Sequence, residues 1–380
     1  MIPITKPLLG PEEREAAARV IRSGWLAQGP EVARFERAVA DYVGAPHAVA
    51  VSSGTAALHL GLLALGVGRG DEGVVPALGF IATANVVRHV GARPVFIDVD
   101  RATFNLCPER LAAAVGPRTR AILPVHQLGL ACELDRVLEI AAGVSAAVVE
   151  DGACALGARY RGQRLGTAGD LTCFSFHPRK VVTTGEGGMI TTSDPALAER
   201  LRALRSHGVT VTAEARHAST DVLPEPECEL VGFNLRMTDI QAAVGVVQME
   251  RLPGIVGRRR ELARRYGRLL AGSPVEPPAE PAHCEHAFQS YMVLLPPSAT
   301  AEQRLQVMQR LLERGVTTRP SLMAIHLQPA HLPPDGSPPA LPVTEELARR
   351  GLMLPLYPQL TEAEQDTVVG ELLSAVGAVL

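Results

Sequence analysis

The sequence predicts an α/β protein with a mainly parallel sheet covered by helices on both faces, followed by a smaller α+β domain. Three observations predict it. Between residues 48 and 192, short continuous apolar runs alternate with helical patterns, which calls for crossover connections and a buried parallel sheet. The chain has 380 residues, too many for one simple core. A proline-rich stretch at 274–281 precedes a change of pattern to strand, helix, strand, helix.

Residues 12–22 and 31–43 carry apolar side chains at helical spacing and read as helices. They are joined by the turn-rich segment 23–30, which contains the single tryptophan, Trp25. A short apolar run at 48–52 leads into a helix at 55–65. Strands follow at 73–76, 94–99, 121–125 and 146–150, with helices at 81–90, 108–115 and 134–142 between them. Two more β segments are expected at 171–177 and 188–192, then two strong helical patterns at 238–252 and 255–271. The segment SYMVLL, from 290, opens the last strand–helix–strand–helix run, and 333–342 reads as a proline-rich loop. The expected division is a large domain at 1–250, with an N-terminal helical arm, and a small C-terminal domain at 251–380. The composition change at 274–281 lies close to it. No internal repeat is present.

Composition narrows the function classes. Net charge is -3, and the densest basic stretch, GRRRELARR around Arg258, reads as the solvated face of a helix. Aromatic residues make up 4% of the chain, which leaves few stacking platforms, so nucleic acid is not an expected partner. The six cysteines include no CxxC pair, so a zinc or redox motif has no support and no metal is expected. Scattered cysteines suit a reducing compartment. The start, MIPITKPLLGPEE, lacks a basic region followed by an apolar one, and no segment is apolar enough to span a membrane. The expectation is a cytoplasmic protein without a membrane partner.

Three pieces could carry chemistry. The loop Ser52-Ser53-Gly54-Thr55-Ala56 joins a strand to a helix, where free backbone N–H groups and the helix dipole can hold a phosphate. Taken alone, the loop is better explained by helix capping, because small polar residues start many helices. Val149-Glu150-Asp151-Gly152 ends an apolar run in acid, at the strand end where open parallel sheets collect ligands. Asp151 there can pair with a protonated ring nitrogen, or merely cap the next helix or bind a metal. Lys180 follows a strand in FSFHPRK and precedes VVTTGEGG. A partly desolvated lysine there is an amine nucleophile, whereas most lysines simply sit at the surface. The set of three shifts the balance, because pyridoxal phosphate (PLP) chemistry needs a phosphate cradle, an acid for the pyridine nitrogen and a Schiff-base lysine. No GxGxxG follows the first strand, so a nicotinamide cofactor is not indicated.

With these residues in view, SSGTAALHLGLLALG, PALGFIATANVV, VFIDVD, VEDGACALGARY, FSFHPRKVVTTGEGG and GFNLRMTDIQAA resemble the DegT/DnrJ/EryC/StrS sugar aminotransferases, from about Pro3 to Glu364. The resemblance implies the aspartate-aminotransferase-like fold, PLP-dependent transferase fold type I, with a mainly parallel seven-stranded sheet and homodimers that share active sites. It implies that Lys180 forms the internal aldimine, that Asp151 pairs with the pyridine nitrogen and that Phe80 lies on the ring face. Gly54, Thr55, the backbone of Ala56 and Ser175 are implied to hold the phosphate. Asn234 is implied to reach the phosphate of the neighbouring subunit's cofactor. Cys154 stands where relatives often have His or Gln near the phenolic oxygen, and a thiol is a weak donor there. Trp25, His177, Arg319 and His326 are candidate contacts for the substrate, Arg319 through a diphosphate, against packing of the N-terminal helices for Trp25, a structural role for His177 and a surface ion pair for Arg319.

The implied reaction takes an amino group from L-glutamate, through pyridoxamine phosphate, to a nucleotide-linked 4-keto-6-deoxy sugar. The lysine segment is more like the 4-keto branch than the YPGKN-like 3-keto branch. A 3-keto sugar, a cyclitol ketone, a sugar dehydratase and a non-catalytic sensor are the alternatives. Lys180 argues against the dehydratase, whose relatives carry His there, and the intact trio of Lys180, Asp151 and Ser175 argues against the sensor.

Overall fold

Successive residues of the central strands face two different hydrophobic cores, and that alternation organises the whole molecule. The structure, a computed structural model, describes residues 1–209, 228, 230–333 and 336–380. Most of the 206–226 loop, expected to shape the substrate pocket, and part of the 333–342 loop lie outside the described residues. The strands are β1 (His47–Val51), β2 (Glu72–Pro76), β3 (Arg93–Ile97), β4 (Thr119–Ile122), β5 (Ala147–Asp151), β6 (Leu171–Ser175) and β7 (Gly188–Thr192). They form one seven-stranded sheet in the order β1-β7-β6-β5-β4-β2-β3. β7 runs antiparallel to both neighbours and all the other pairings are parallel.

Ala48, Ala50, Val74, Ile122 and Val148 pack into one core, with α2 (Pro30–Val43), α5 (Pro108–Ala114), α6 (Leu134–Val144) and the first half of α8 (Asp239–Leu270). Their chain neighbours Val49, Val51, Val75, Ala121, Leu123 and Val149 pack into the other, with α3 (Gly54–Ala64), α4 (Ala82–His89) and α7 (Pro195–Arg205). Because both faces are covered, these strands read as unbroken apolar runs. A third core joins Leu262, Tyr266 and Leu270 of α8 to the strands Tyr291–Leu294 and Gly351–Leu354 and to the helices Ala301–Glu313 and Glu362–Val379.

The expected fold class and the alternation are as observed, and two details differ. The patterns at 238–252 and 255–271 form one helix of 32 residues that runs through Pro253. Proline deletes one backbone donor, but Leu252, Ile255 and Val256 pack on both sides of it into the same core and keep the helix continuous. A two-residue strand, Leu78–Gly79, pairs with Met323–Ala324 and was too short for its pattern to be read. No helix among the described residues is long and apolar enough to cross a membrane.

The carboxylate of Asp239 accepts the backbone N–H groups of Gly29, Glu31 and Val32, so the start of α8 is tied to the start of α2. Arg259, buried in α8, donates to the carbonyls of Phe288, Gln289 and Leu356, which fixes the corner entering the third core.

His286 sits at that corner, buried and stacked on Phe288 at 3.9 Å between ring centroids. Burial, reinforced by the charge of Arg260, pushes its pKa down to about 3. The unfolded chain takes up this proton near pH 6.5 and the folded chain does not, so the contribution to stability is complete above that pH and is lost as pH falls. Between pH 7 and pH 5 the wild type should lose about 2 kcal/mol more unfolding free energy than His286→Gln, measured by urea titration. Equal losses in the two proteins would contradict it.

Candidate active site

The carboxyl ends of β1, β5 and β6 and the start of β7 come together at one edge of the sheet. Val51 pairs with Gly188 and Gly188 pairs with Ser175, so the loop after β1 lies directly beside the end of β6. The approach is unusually close. A Cβ on Gly188 would stand 2.3 Å from the carbonyl oxygen of Ser53, and one on Gly54 would stand 2.7 Å from Cβ of Ser175. Only glycine fits at both places.

Ser53 caps α3, its hydroxyl accepting the N–H of Ala56 at 3.1 Å. Helix geometry leaves the N–H groups of Gly54 and Thr55 without an acceptor in the helix, and Thr55 is exposed. This first turn, with the half-buried Ser175 against it, is a seat for an anion at a helix N-terminus.

The acidic pair at the end of β5 is split between the two faces of the sheet. Glu150 is fully buried. It accepts from Nε2 of His126 at 2.8 Å, from the N–H of Gly169 at 2.7 Å and from the hydroxyl of Thr172 at 2.8 Å. Burial opposes its charge, but the bonds from His126 and the other donors prevail and hold the carboxyl below its usual range. His126 accepts the N–H of Cys132 at Nδ1, which leaves Nε2 to carry the proton toward Glu150. Asp151 points the other way. Its Oδ1 accepts the N–H of Ala153 at 3.1 Å and its Oδ2 accepts the hydroxyl of Thr83 at 2.6 Å. Thr83 lies in the first turn of α4, three residues after Phe80, whose ring is 62% exposed.

Lys180 is half-buried in the turn after β6, its N–H bonded to the carbonyl of His177. Its Nζ donates to Sγ of Cys154 at 3.3 Å, which joins the lysine loop to the turn after Asp151. Gly185, at φ 83°, supplies the left-handed turn that sends the chain back into β7. Gln289, at the corner held by Arg259, donates to the carbonyl of Arg179 at 2.5 Å. His177 accepts the N–H of Arg179 at Nδ1. Burial lowers its pKa and Glu186 opposes this, while Arg179, Lys180 and Arg319 push it further down. Arg179 also lowers the pKa of Arg319, after burial. Both arginines are exposed, and neither makes an ion pair with a carboxylate among the described residues.

The structure therefore brings Gly54, Thr55, Ala56, Ser175, Asp151, Cys154, Lys180 and Phe80 to one edge, with His177 and Arg319 beside them. Asn234 is exposed and bridges to Ser206 through its backbone. Trp25 donates from its indole to the carbonyl of Gln28, in the turn that meets the start of α8. From there Gln241 donates to the carbonyl of Glu186, in the glycine turn after Lys180. His326 is fully buried, with Nε2 3.4 Å from Glu345 and no hydrogen-bond partner at Nδ1 among the described residues. Thr83, Arg179 and His126 were not singled out by the sequence. Thr83 and His126 carry no local signal, since their partners lie 68 and 24 residues away. Arg179 had a signal in its place next to Lys180.

A family model described as the DegT/DnrJ/EryC1/StrS aminotransferase family matches residues 7–373. A GDP-perosamine synthase from Caulobacter vibrioides is 40% identical over 376 residues, covering 98% of this chain and 97% of that protein. Among solved structures, a putative sugar aminotransferase, Spr1654 from Streptococcus pneumoniae, superposes in its PMP form with a TM-score of 0.93, at 30% identity over the full length of both chains. Its PLP form gives 0.92 at 30% identity, over 100% of this chain and 99% of that one. The aminotransferase TlmJ from Streptoalloteichus hindustanus gives 0.91 at 37% identity, over 100% of this chain and 99% of that one. The residues here fit PLP: an anion seat, a buried carboxylate, an exposed aromatic face and a half-buried lysine amine lie at one sheet edge.

Because the atoms facing Gly188 are backbone, Gly188→Ala must displace the loop at 52–54 and with it the anion seat. The expected result is a PLP dissociation constant raised roughly tenfold or more, the equivalent of about 1.4 kcal/mol, measured by fluorescence titration of the apoprotein. Unchanged affinity would show that the seat does not hold the phosphate.

Proposed function

The chain belongs to the DegT/DnrJ/EryC1/StrS aminotransferase family, and on that premise we propose that this PLP-dependent sugar aminotransferase moves an amino group from L-glutamate to a nucleotide-linked 4-keto-6-deoxy sugar. What supports the reading is the convergence of the Lys180 amine, the Asp151 carboxylate and the seat formed by Gly54, Ser175 and Gly188 at one edge of the sheet. The 40% identical relative is named GDP-perosamine synthase, which supports a nucleotide-linked acceptor. The lysine segment FHPRKVVTTGEGG supports the 4-keto position.

PLP, when bound, supplies an electron sink for the carbon that gains and loses the amino group. The protein does the rest. The N–H groups of Gly54 and Thr55 and the hydroxyls of Thr55 and Ser175 would bind the phosphate, while the N–H of Ala56 is held by the Ser53 hydroxyl. Asp151 accepts the ring N–H and keeps the proton at the pyridine nitrogen. Phe80 covers the ring face. Lys180 would hold the cofactor through its amine, and its Nζ would move a proton at the carbon that gains or loses the amino group, as general base and then general acid. Cys154, half-buried against Nζ, holds the amine toward the turn after Asp151. Arg319, with Arg179 beside it, supplies positive charge for the diphosphate. Asn234, exposed on its loop, is offered to the cofactor phosphate of a second copy in a homodimer.

Two measurements test this. The visible band of the PLP-loaded protein should bleach when L-glutamate is added and return with a 4-keto-6-deoxy nucleotide sugar. A band that responds to other amino acids but not to glutamate would refute the donor. Lys180→Ala should lower turnover by roughly 10²- to 10⁴-fold or more, the range of a lost general base. Full turnover in that variant would refute the role of Lys180.

A further inference from the structure

Asp151 ends a strand, and an aspartate carboxylate turns easily about its last side-chain bond, which has only a broad preference. Its orientation must come from outside. The N–H of Ala153 holds Oδ1 from within the same turn. The only side chain bonded to the carboxylate among the described residues is Thr83, whose hydroxyl reaches Oδ2 across 68 positions of sequence. Both groups are more than nine-tenths buried. A carboxylate has no proton to give, so the threonine donates.

That hydroxyl had another use available. A helical threonine can bond back to a carbonyl three or four residues earlier in its own chain. Here it spends its proton on Asp151. Thr83 also donates its backbone N–H to the carbonyl of Phe80 at 3.4 Å. One residue thus ties the carboxylate at the end of β5 to the backbone of Phe80, just before α4.

We propose that Thr83 is a positioning residue for the cofactor, holding the plane of the Asp151 carboxylate and its registry with Phe80 through the Thr83–Asp151 hydrogen bond. This rests on the reading of Asp151 as the partner of the ring nitrogen. Thr83 touches neither cofactor nor substrate and acts through Asp151. Its loss leaves Oδ2 free to turn, so both the affinity for PLP and the environment of the ring change while the apoprotein fold is kept.

The test is a double-mutant cycle on purified protein, with the PLP dissociation constant and the visible band as readouts and melting of the apoprotein as the fold control. Thr83→Val, which keeps the shape and removes the hydroxyl, should raise the dissociation constant about tenfold, the scale of one hydrogen bond to a charged group, and shift the band. Thr83→Ala serves in its place if the valine variant does not fold. Thr83→Ser should restore the affinity and the band. In an Asp151→Asn background, Thr83→Val should add less than about twofold, because coupled residues do not add. Full additivity in that background, or unchanged affinity and band in Thr83→Val while Asp151→Asn is impaired, would overturn the proposal alone. Unchanged affinity and band in Asp151→Asn would overturn it together with the reading of Asp151.

Discussion

The site depends on a backbone contact that leaves no room for a side chain. β7 runs against its neighbours and begins at Gly188, wedged between the loop after β1 and the end of β6. Since a Cβ there would stand 2.3 Å from a carbonyl oxygen, the two loops can only meet at glycine. That contact sets the anion seat on α3 beside Ser175, and Ser175 in turn leads within five residues to Lys180. The Gly-rich stretch after the lysine is therefore structural at two levels. Gly185 turns the chain in the left-handed region, and Gly188 allows the approach.

Around this contact, charge is handled by separation. Glu150 and Asp151 are consecutive carboxylates on one strand, and the period of the strand sends them to opposite faces. Glu150 is surrounded by donors in a buried core and serves that core. Asp151 is held by two donors, which leaves further acceptor capacity for a ring N–H. Positive charge gathers on the other side of the lysine, where Arg179, Arg319 and Lys180 all disfavour the protonated form of His177. The two guanidinium groups make no ion pair with a carboxylate among the described residues, so their charge stays on that side of the lysine. The corner that carries these groups is braced from below, by Arg259 on Phe288 and Gln289 and by Gln289 on Arg179.

Much of this was legible in the chain. Continuous apolar runs such as the one around Val149 signalled strands buried on both faces, and SSGTAAL, VEDGA and FHPRK signalled strand ends that carry polar groups. Other features were hidden for stated physical reasons. Helix α8 was read as two helices because Pro253 interrupts the local pattern, while packing on both sides of it overrides the proline. Thr83 looked like any small polar residue in a helix, and His126 like any histidine in a loop. Each gains its meaning from a partner brought near by the sheet.

The sequence by itself determined the class of the fold and the order of its elements, and it named the candidate residues that the structure gathers at one sheet edge, because periodicity and turn chemistry are local and survive in a linear string. Tertiary structure decided which groups meet. It chose that Asp151 rather than Glu150 faces the site, that the amine of Lys180 lies against Cys154, and that His326 is buried against Glu345. Those outcomes depend on strand order, and strand order is settled by which faces can be buried together, a property of the assembled chain rather than of any segment.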